Sequence, residues 1–555
     1  MFYENENFKI SIDDRNIEPS GLSNEKILKI ILQNRNISDD EVSNFLQNYN
    51  INSIDPFEFP DMEKSIEIIS KFITQGKKIG VYGDFDADGL TGTAILIETI
   101  DNLGGIAKPF IPHREDEGHG ISKNGLMSLI DFGCELIITV DTGTNSFDLI
   151  EEIINEKNIN FIITDHHIPE KKSFSYPILN PVLDENITDY SGAGVAWILS
   201  KAIYQHFEKP MKEGLTSLAT IGTVADVAPL QKNNRIIVKN GLIEIAKSQN
   251  FAINALNNIS GKKFFFEPPE AEYISFSLAP RINTPGRISD AYTSLNLLTA
   301  KNSKIAHNIS QKVEQMNDKR KSLSLELWEK KQEEIKSQIN LPIIFLDCTG
   351  YPLGLLGPLA GRLVDDLSKP VFCYANKDNV YKFSSRSNES YDLFNSLSKL
   401  ERYFINFGGH SLAAGFSIKS DDYNEFYKEI IEAHEFKFQK SRKNYNADLE
   451  ISINHLNYNL WDELKKLSPF GEKNPEPIFY TKNITLDNIR SIGSDKNHIS
   501  GKLSNNHETF DFIGFNIMKQ TTFSNKKVSI LYKLRTDFWN GKKQKKIQIL
   551  EITTA

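Results

Sequence analysis

Three short apolar runs, KIGVYGD, LIITVD and FIITD, each close on an acid: Asp84, Asp141 and Asp165. Between them lie TGTAILIETIDNL and FDLIEEIINEK, whose apolar residues keep helical spacing. Strand-length apolar runs alternating with amphipathic stretches predict a parallel α/β sheet across residues 78–230. In such a sheet all strands end on one edge, and ligands bind outside those carboxyl ends. A chain with this pattern therefore gathers three aspartates on one edge.

The acids do not stand alone. The first run continues as DFDADG, giving Asp84, Asp86 and Asp88 within five residues. The third continues as Asp165, His166 and His167, and IGTVADV adds Asp226. Carboxylates held together repel and raise one another's pKa, a cost that a multivalent cation relieves. Carboxylate with imidazole and no thiol suits a pair of divalent ions, Mn2+ or Mg2+, better than zinc. Two such ions are a common device for hydrolysing phosphate esters. Taken singly, an aspartate after a strand is often a helix cap, and Asp88 before LTGTAIL fits that role. A single His166 is as readily a satisfied, half-buried side chain. The joint pattern favours a metal centre.

Outside this region the pattern changes. Residues 1–60 are polar and read as a mostly helical N-terminal extension, and 61–300 hold the main α/β domain. Residues 301–340 read as one connecting helix, with Ile305, Ile309, Val313, Met316, Leu323 and Leu327 near helical spacing. A smaller α/β domain follows over 341–440. Short, alternating, turn-punctuated runs over 446–555 predict a β-barrel.

Composition sets limits. A length of 555 residues is enough for several domains. The 73 acidic and 64 basic residues give a net charge of -9, which argues against a general polyanion binder but not against a local basic groove. Cys134, Cys348 and Cys373 form no CxxC pair, so neither a disulfide scaffold nor a structural zinc site is expected. The start, MFYENENFKISIDD, lacks a basic segment followed by an apolar one, and no run reaches the length of a membrane span. The expected location is cytoplasmic, with no membrane partner.

The motifs, in order, are GDFDADG (83–89), PHREDEGHGIS (112–122), TVDTGT (139–144), TDHH (164–167) and LNP (179–181). Then come SGAGVAW (191–197), IGTVADVAPL (221–230), APRINTPGR (279–287), SSRS (384–387), FGGHSLAAGF (407–416) and PFGEKNPEP (469–477). This series resembles the DHH-family phosphoesterases, and more narrowly the RecJ single-strand-specific exonucleases, over nearly the whole chain. The resemblance implies a DHH catalytic domain, a DHH-associated substrate-binding domain and a C-terminal OB-fold. It implies metal ligands at Asp84, Asp86, Asp88, Asp141, His166 and Asp226, with Asp141 bridging two ions. His167 would lie beside the scissile phosphate, making Asp141, His166 and His167 the catalytic set. Asp165 would orient a histidine.

By the same resemblance Arg287 holds a phosphate of the bound strand. Arg114, Ser384, Arg386 and a Gly408-Gly409-His410 turn form a pocket for the 5′-terminal phosphate. Arginine does bind phosphate bidentately, and a Gly-Gly turn can offer backbone N–H groups to an anion. A plain tight turn and a solvated surface arginine fit the same residues. The chain departs from the family pattern at His113 and His119, at Pro352 and at Lys473.

The implied activity is single-stranded-DNA-specific 5′→3′ exonuclease, releasing 5′-mononucleotides by two-metal-ion hydrolysis in DNA repair and recombination. Near the C-terminus Lys533, Arg535, Trp539, Lys542 and Lys543 combine basic and aromatic residues, as in OB-fold strand paths. A solvated, lysine-rich hairpin is the competing account. A helicase and a single-strand-binding protein are the expected partner classes, and the family pattern suggests a monomer. A dinucleotide or oligonucleotide phosphodiesterase shares the aspartates, but has little use for the long helix and the barrel. A non-catalytic scaffold would be expected to lose metal ligands, and a pyrophosphatase-like enzyme to begin its first motif with His.

Overall fold

Strands β1 (Lys78–Gly83), β2 (Ile106–Phe110), β3 (Leu136–Val140), β4 (Asn160–Thr164) and β5 (Ile178–Leu179) form an all-parallel sheet in the computed structural model. Its strand order is 2-1-3-4-5. The structure describes residues 2–4, 8–12, 23–47, 49–171, 173–247, 249–261, 264, 267–432, 443–493, 496–517, 527–539 and 542–554. Alternate residues of each strand enter different cores. Ile79, Val81, Leu136, Ile138 and Ile162 face one; Tyr82, Ile137, Phe161 and Ile163 face the other. Burial on both faces explains why these strands read as unbroken apolar runs. Helices α1 (Ala87–Asn102), α2 (Gly192–His206) and α3 (Leu215–Ala225) contribute to the first core.

Helix α4 (Ala279–Ile288) leads toward α5 (Ser303–Ser337), one helix of 35 residues capped by the Asn302 side chain. Ala306 and Val313 of α5 are buried in the core of the first sheet. Leu327 and Ile335 are buried in that of a second sheet. This second sheet is mixed: β6 (Ile344–Asp347), β7 (Val371–Lys377), β8 (Val380–Arg386), β9 (Phe404–His410) and β10 (Ala413–Lys419), in the order 9-10-8-7-6. Only β6 and β7 run parallel. Helix α6 (Leu356–Leu367) buries Leu356, Leu359, Ala360 and Leu363 in the core it shares with α5.

The chain divides into two compact units, Ile51–Lys440 and Met1–Asn50 with Ser441–Ala555. The second unit holds a seven-stranded sheet built from segments between Leu449 and Thr554. Residues 1–60 hold helices, as the expected N-terminal extension does, and two short strands besides. Phe2–Glu4 and Phe8–Ile12 are strands that form a sheet with Lys443–Ala447, and the division falls at residue 50. The helix Asn24–Asn34 buries Ile27, Leu28, Ile31 and Leu32 in one core with Leu460, Trp461, Phe479 and Phe510. That apolar stripe finds its partner at the far end of the chain, which no local pattern announces. Among the described residues no helix is long and apolar enough to cross a membrane.

Candidate metal centre

In the order 2-1-3-4-5 the sheet reverses between β1 and β3, and the crevice at that switch point is where ligands bind in open α/β sheets. Asp84 follows β1, Asp141 follows β3 and Asp165 follows β4. Each has its amide tied to the neighbouring strand. Asp84 N donates to Val140 O at 3.2 Å, Asp141 N to Thr164 O at 2.9 Å and Asp165 N to Leu179 O at 3.1 Å. The three acids are thus fixed by the sheet rather than by loops. Asp141 adopts φ +60°, a strained conformation for a non-glycine residue of the kind that gathers at functional sites. Gly192 permits this placement: a Cβ there would lie 2.4 Å from Cβ of Asp141.

The cap of α1 falls to Asp86, not to Asp88. Asp86 Oδ1 accepts from Asp88 N at 2.9 Å and Gly89 N at 3.1 Å. Asp88 instead points at the start of α2, where Oδ2 accepts from Gly192 N at 2.6 Å and Oδ1 from Ala193 N at 3.0 Å. A helix N-terminus offers free N–H groups and a favourable dipole to an anion. Burial therefore leaves the Asp88 carboxylate supported.

His166 sits among the acids. Its Nε2 lies 3.0 Å from Asp141 Oδ1 and 3.9 Å from Asp88 Oδ2, and its Nδ1 lies 3.8 Å from Asp226 Oδ2. Three overlapping groups bring one ligand atom per residue within 4.8 Å of one another: Asp84, Asp86 and Asp141; Asp88, His166 and Asp226; Asp141, His166 and His167. Burial, then the charges of Asp88, Asp86 and Asp84, pushes Asp141 well above the usual carboxylate range. Burial and Asp88 raise Asp226 to about 7. Asp84 Oδ1 and Asp141 Oδ1 are buried without a hydrogen-bond partner; the His166 approach to Asp141 lacks hydrogen-bond geometry. Orphaned buried oxygens among mutually repelling carboxylates, with imidazole and no thiolate, fit divalent cations.

Asp165 lies behind this cluster. Its Oδ1 is 2.7 Å from His167 Nδ1, and its Oδ2 accepts from Thr144 N at 2.9 Å. Burial alone would raise Asp165, but these bonds hold it well below the ordinary carboxylate range. The same bond lifts His167 to about 9. Asn180 Nδ2 donates to the carbonyl of His167 at 2.8 Å and to Thr144 Oγ1 at 3.0 Å, fixing the loop that carries both histidines. Asn180 and Thr144 lie in the LNP and TVDTGT motifs, where sequence pattern alone assigns them no role. In sequence His119 is only a departure from the family pattern. His119 Nδ1 lies 3.4 Å from Asp84 Oδ2, and its ring rests against Phe85 at 4.3 Å between centroids.

A second cluster is cationic. The Arg114 guanidinium stacks on Phe85 at 4.0 Å, and its Nε is buried without a partner. Arg287 Nη1 donates to Gly354 O at 3.0 Å. Burial, then Arg114, Arg320 and Arg386 in turn, lowers Arg287 to about 10, which still leaves it charged at neutral pH. A Cβ on Gly357 would lie 3.0 Å from Arg386 Nη2 and 3.1 Å from Ser384 Oγ, so α6 approaches both closely. Pro352 precedes the short 3-10 turn Leu353–Leu355, whose Gly354 accepts the Arg287 bond.

The expected Gly408-Gly409-His410 turn is strand. Gly408, Gly409 and His410 pair with Gly415, Ala414 and Ala413, and the reversal comes at Ser411 and Leu412. Pairing with β10 overrides the turn preference of two glycines. Gly409, at φ +148°, could not take a side chain, because a Cβ would lie 2.4 Å from Ala413 O. Register still aligns these residues with Ser384 and Arg386: Gly415 pairs Ser384, and Ala413 pairs Arg386.

In the other unit Lys533 Nζ lies 3.1 Å from Glu476 Oε2 and Arg535 Nε lies 3.2 Å from Glu476 Oε1. Both expected strand contacts are therefore paired with an acid. Trp539, Lys542 and Lys543 are in strands, and their side chains lie outside the described residues. Lys473 adopts φ +56°, a left-handed conformation that glycine takes at less cost.

The profile for the DHH family, N-terminal domain, matches residues 78–223; that for the DHHA1 domain matches 340–435; that for the RecJ OB domain matches 447–551. The chain is 29% identical over 523 residues to the single-stranded-DNA-specific exonuclease RecJ of Bacillus subtilis (strain 168), covering 92% of the chain and 66% of that protein. It is 32% identical over 422 residues to the protein of the same name from Thermus thermophilus, covering 75% of the chain and 61% of that protein. The chain thus spans about two thirds of the length of these relatives. The Mn2+ complex of the Thermus protein superposes with a TM-score of 0.79 at 26% identity, over 96% of this chain and 76% of that one. An exonuclease RecJ bound to manganese superposes with a TM-score of 0.62 at 30% identity, over 68% of this chain and 96% of that one. With its three matched domains in that order, the chain belongs to the DHH family, in its RecJ-type branch.

Proposed function

We propose that this chain is a divalent-metal-dependent, single-strand-specific DNA exonuclease that removes 5′-mononucleotides from the 5′ end. The observation that carries the reading is the convergence of Asp84, Asp86, Asp88, Asp141, His166 and Asp226 at the switch point of the sheet, with buried carboxylate oxygens left unpartnered. The relatives named above are single-stranded-DNA-specific exonucleases, and two of their structures hold manganese.

Those six residues would hold two divalent ions. Bound ions supply Lewis acidity, offsetting phosphate charge and making water acidic enough to ionise near neutral pH. The protein's own groups do the rest. His167, kept protonated by Asp165, presents its second ring nitrogen as a donor to a phosphate oxygen that gains charge. Arg287 neutralises a phosphate of the strand. Arg114, Ser384 and Arg386 receive the 5′-terminal phosphate, and fixing that end selects which bond is cut.

On this reading 61–300 is the catalytic domain, 341–440 binds the 5′ end and 446–555 guides the strand. A helicase that supplies single strands, and a single-strand-binding protein, are the partner classes such an enzyme would use in repair and recombination. Digestion of single-stranded DNA with either end blocked tests the proposal, with Mn2+ or Mg2+ and after chelation. Blocking the 5′ end, or removing metal, is expected to stop release of mononucleotides. Release from a 5′-blocked strand, or in the presence of chelator, overturns it.

A further inference from the structure

We infer that Lys382 is a positioning residue that holds Arg114 at the phosphate pocket; this rests on the pocket reading above. Strand side chains alternate, so Lys382, Ser384 and Arg386 of β8 share one face. Ser384 and Arg386 belong to the pocket, and Lys382 is the next position along. Its Nζ donates to the backbone carbonyl of Glu115 at 2.7 Å. Glu115 immediately follows Arg114, so this bond ties Arg114, in the domain of the first sheet, to β8 of the second sheet, which carries Arg386.

Two further observations support the tie. Lys377, at the end of β7, reaches Glu115 Oε2 at 3.2 Å and Asp116 Oδ1 at 3.7 Å. On its own side the 112–122 loop is closed by Glu117, whose carboxylate accepts from His113 N at 2.8 Å and Ser122 Oγ at 2.5 Å. The loop is thus braced within its own domain and clasped by lysines of the second sheet. Asp84 and Asp86 act on Arg114 through their charge, but among the described residues no carboxylate forms an ion pair with it: it stacks on Phe85, and its Nε has no hydrogen-bond partner. Its direction is left to the backbone that follows, and Lys382 holds that backbone. The clasp to a main-chain carbonyl also frees Arg114 itself for an anion.

The test uses the full chain and two single-stranded DNA oligonucleotides, one with a 5′-phosphate and one with a 5′-hydroxyl. Lys382→Met is expected to raise KM for the phosphorylated strand roughly tenfold, the loss of one charged hydrogen bond. Its kcat, and KM for the hydroxyl strand, stay as in the unaltered chain. Lys382→Arg, which can still reach the carbonyl, restores the low KM. Lys377→Met, which breaks only exposed ion pairs, shifts KM the same way by less. A Lys382→Met variant with unchanged KM, or with KM raised equally on both strands, overturns the inference. Should the unaltered chain show no preference for a 5′-phosphate, the pocket reading itself fails and the inference with it.

Discussion

Nδ1 of His167 lies 2.7 Å from Oδ1 of Asp165, a carboxylate that also receives the amides of His166 and Thr144. The pair fixes both the charge and the direction of an imidazole at the edge of the carboxylate cluster. Asp165→Asn keeps the size but loses the negative charge. The expected result is a fall in kcat of roughly tenfold to a hundredfold, as for other partners of metal-site histidines. Isothermal titration should still find divalent cations bound by this variant, which separates it from loss of a ligand.

Asp141 costs the metal-free protein stability, because it is buried among three other carboxylates. Asp141→Asn is therefore expected to melt at a higher temperature than the unaltered chain in chelator. In saturating Mn2+ the order should reverse, since a ligand at a hundred times its Kd adds about 2.7 kcal/mol only to a protein that binds it. Hydrolysis should be abolished. Differential scanning calorimetry with and without metal reads the crossover.

Arg386 and Ser384 share one face of β8, and Gly357 of α6 approaches both closely. Arg386→Met is expected to raise KM for a 5′-phosphorylated strand by roughly tenfold to a hundredfold, the range for a charged hydrogen bond. A 5′-hydroxyl strand should be affected far less. Initial rates on both strands give the comparison.

Glu476 holds both Lys533 and Arg535. If those two basic side chains guide DNA, the acid opposes binding. Glu476→Gln is expected to tighten binding of a long single strand and to steepen its dependence on salt by about one released ion. Fluorescence anisotropy across a salt series measures the slope.

The parts of the site that were legible in the sequence follow from period and position. Asp84, Asp141 and Asp165 could be placed because strand-length apolar runs end on them, and parallel strands share an edge. What was not legible depends on partners far along the chain. Whether Asp86 or Asp88 caps α1 is decided by the amides of Gly192 and Ala193, more than a hundred residues away. Two glycines at 408 and 409 read locally as a turn, while their pairing with β10 makes them strand. The helix Asn24–Asn34 shows an apolar stripe, but nothing in residues 1–60 says that its core lies beyond residue 449. His119 looked like a simple departure because only the fold brings it to Asp84.

Helix α5 enters one core with Ala306 and Val313 and the other with Leu327 and Ile335. At 1.5 Å per residue its 35 residues span about 50 Å without a break. On the proposed reading, one unbroken helix joins the domain with the hydrolytic edge to the domain that carries Ser384 and Arg386, so the two are linked through regular backbone rather than through a loop.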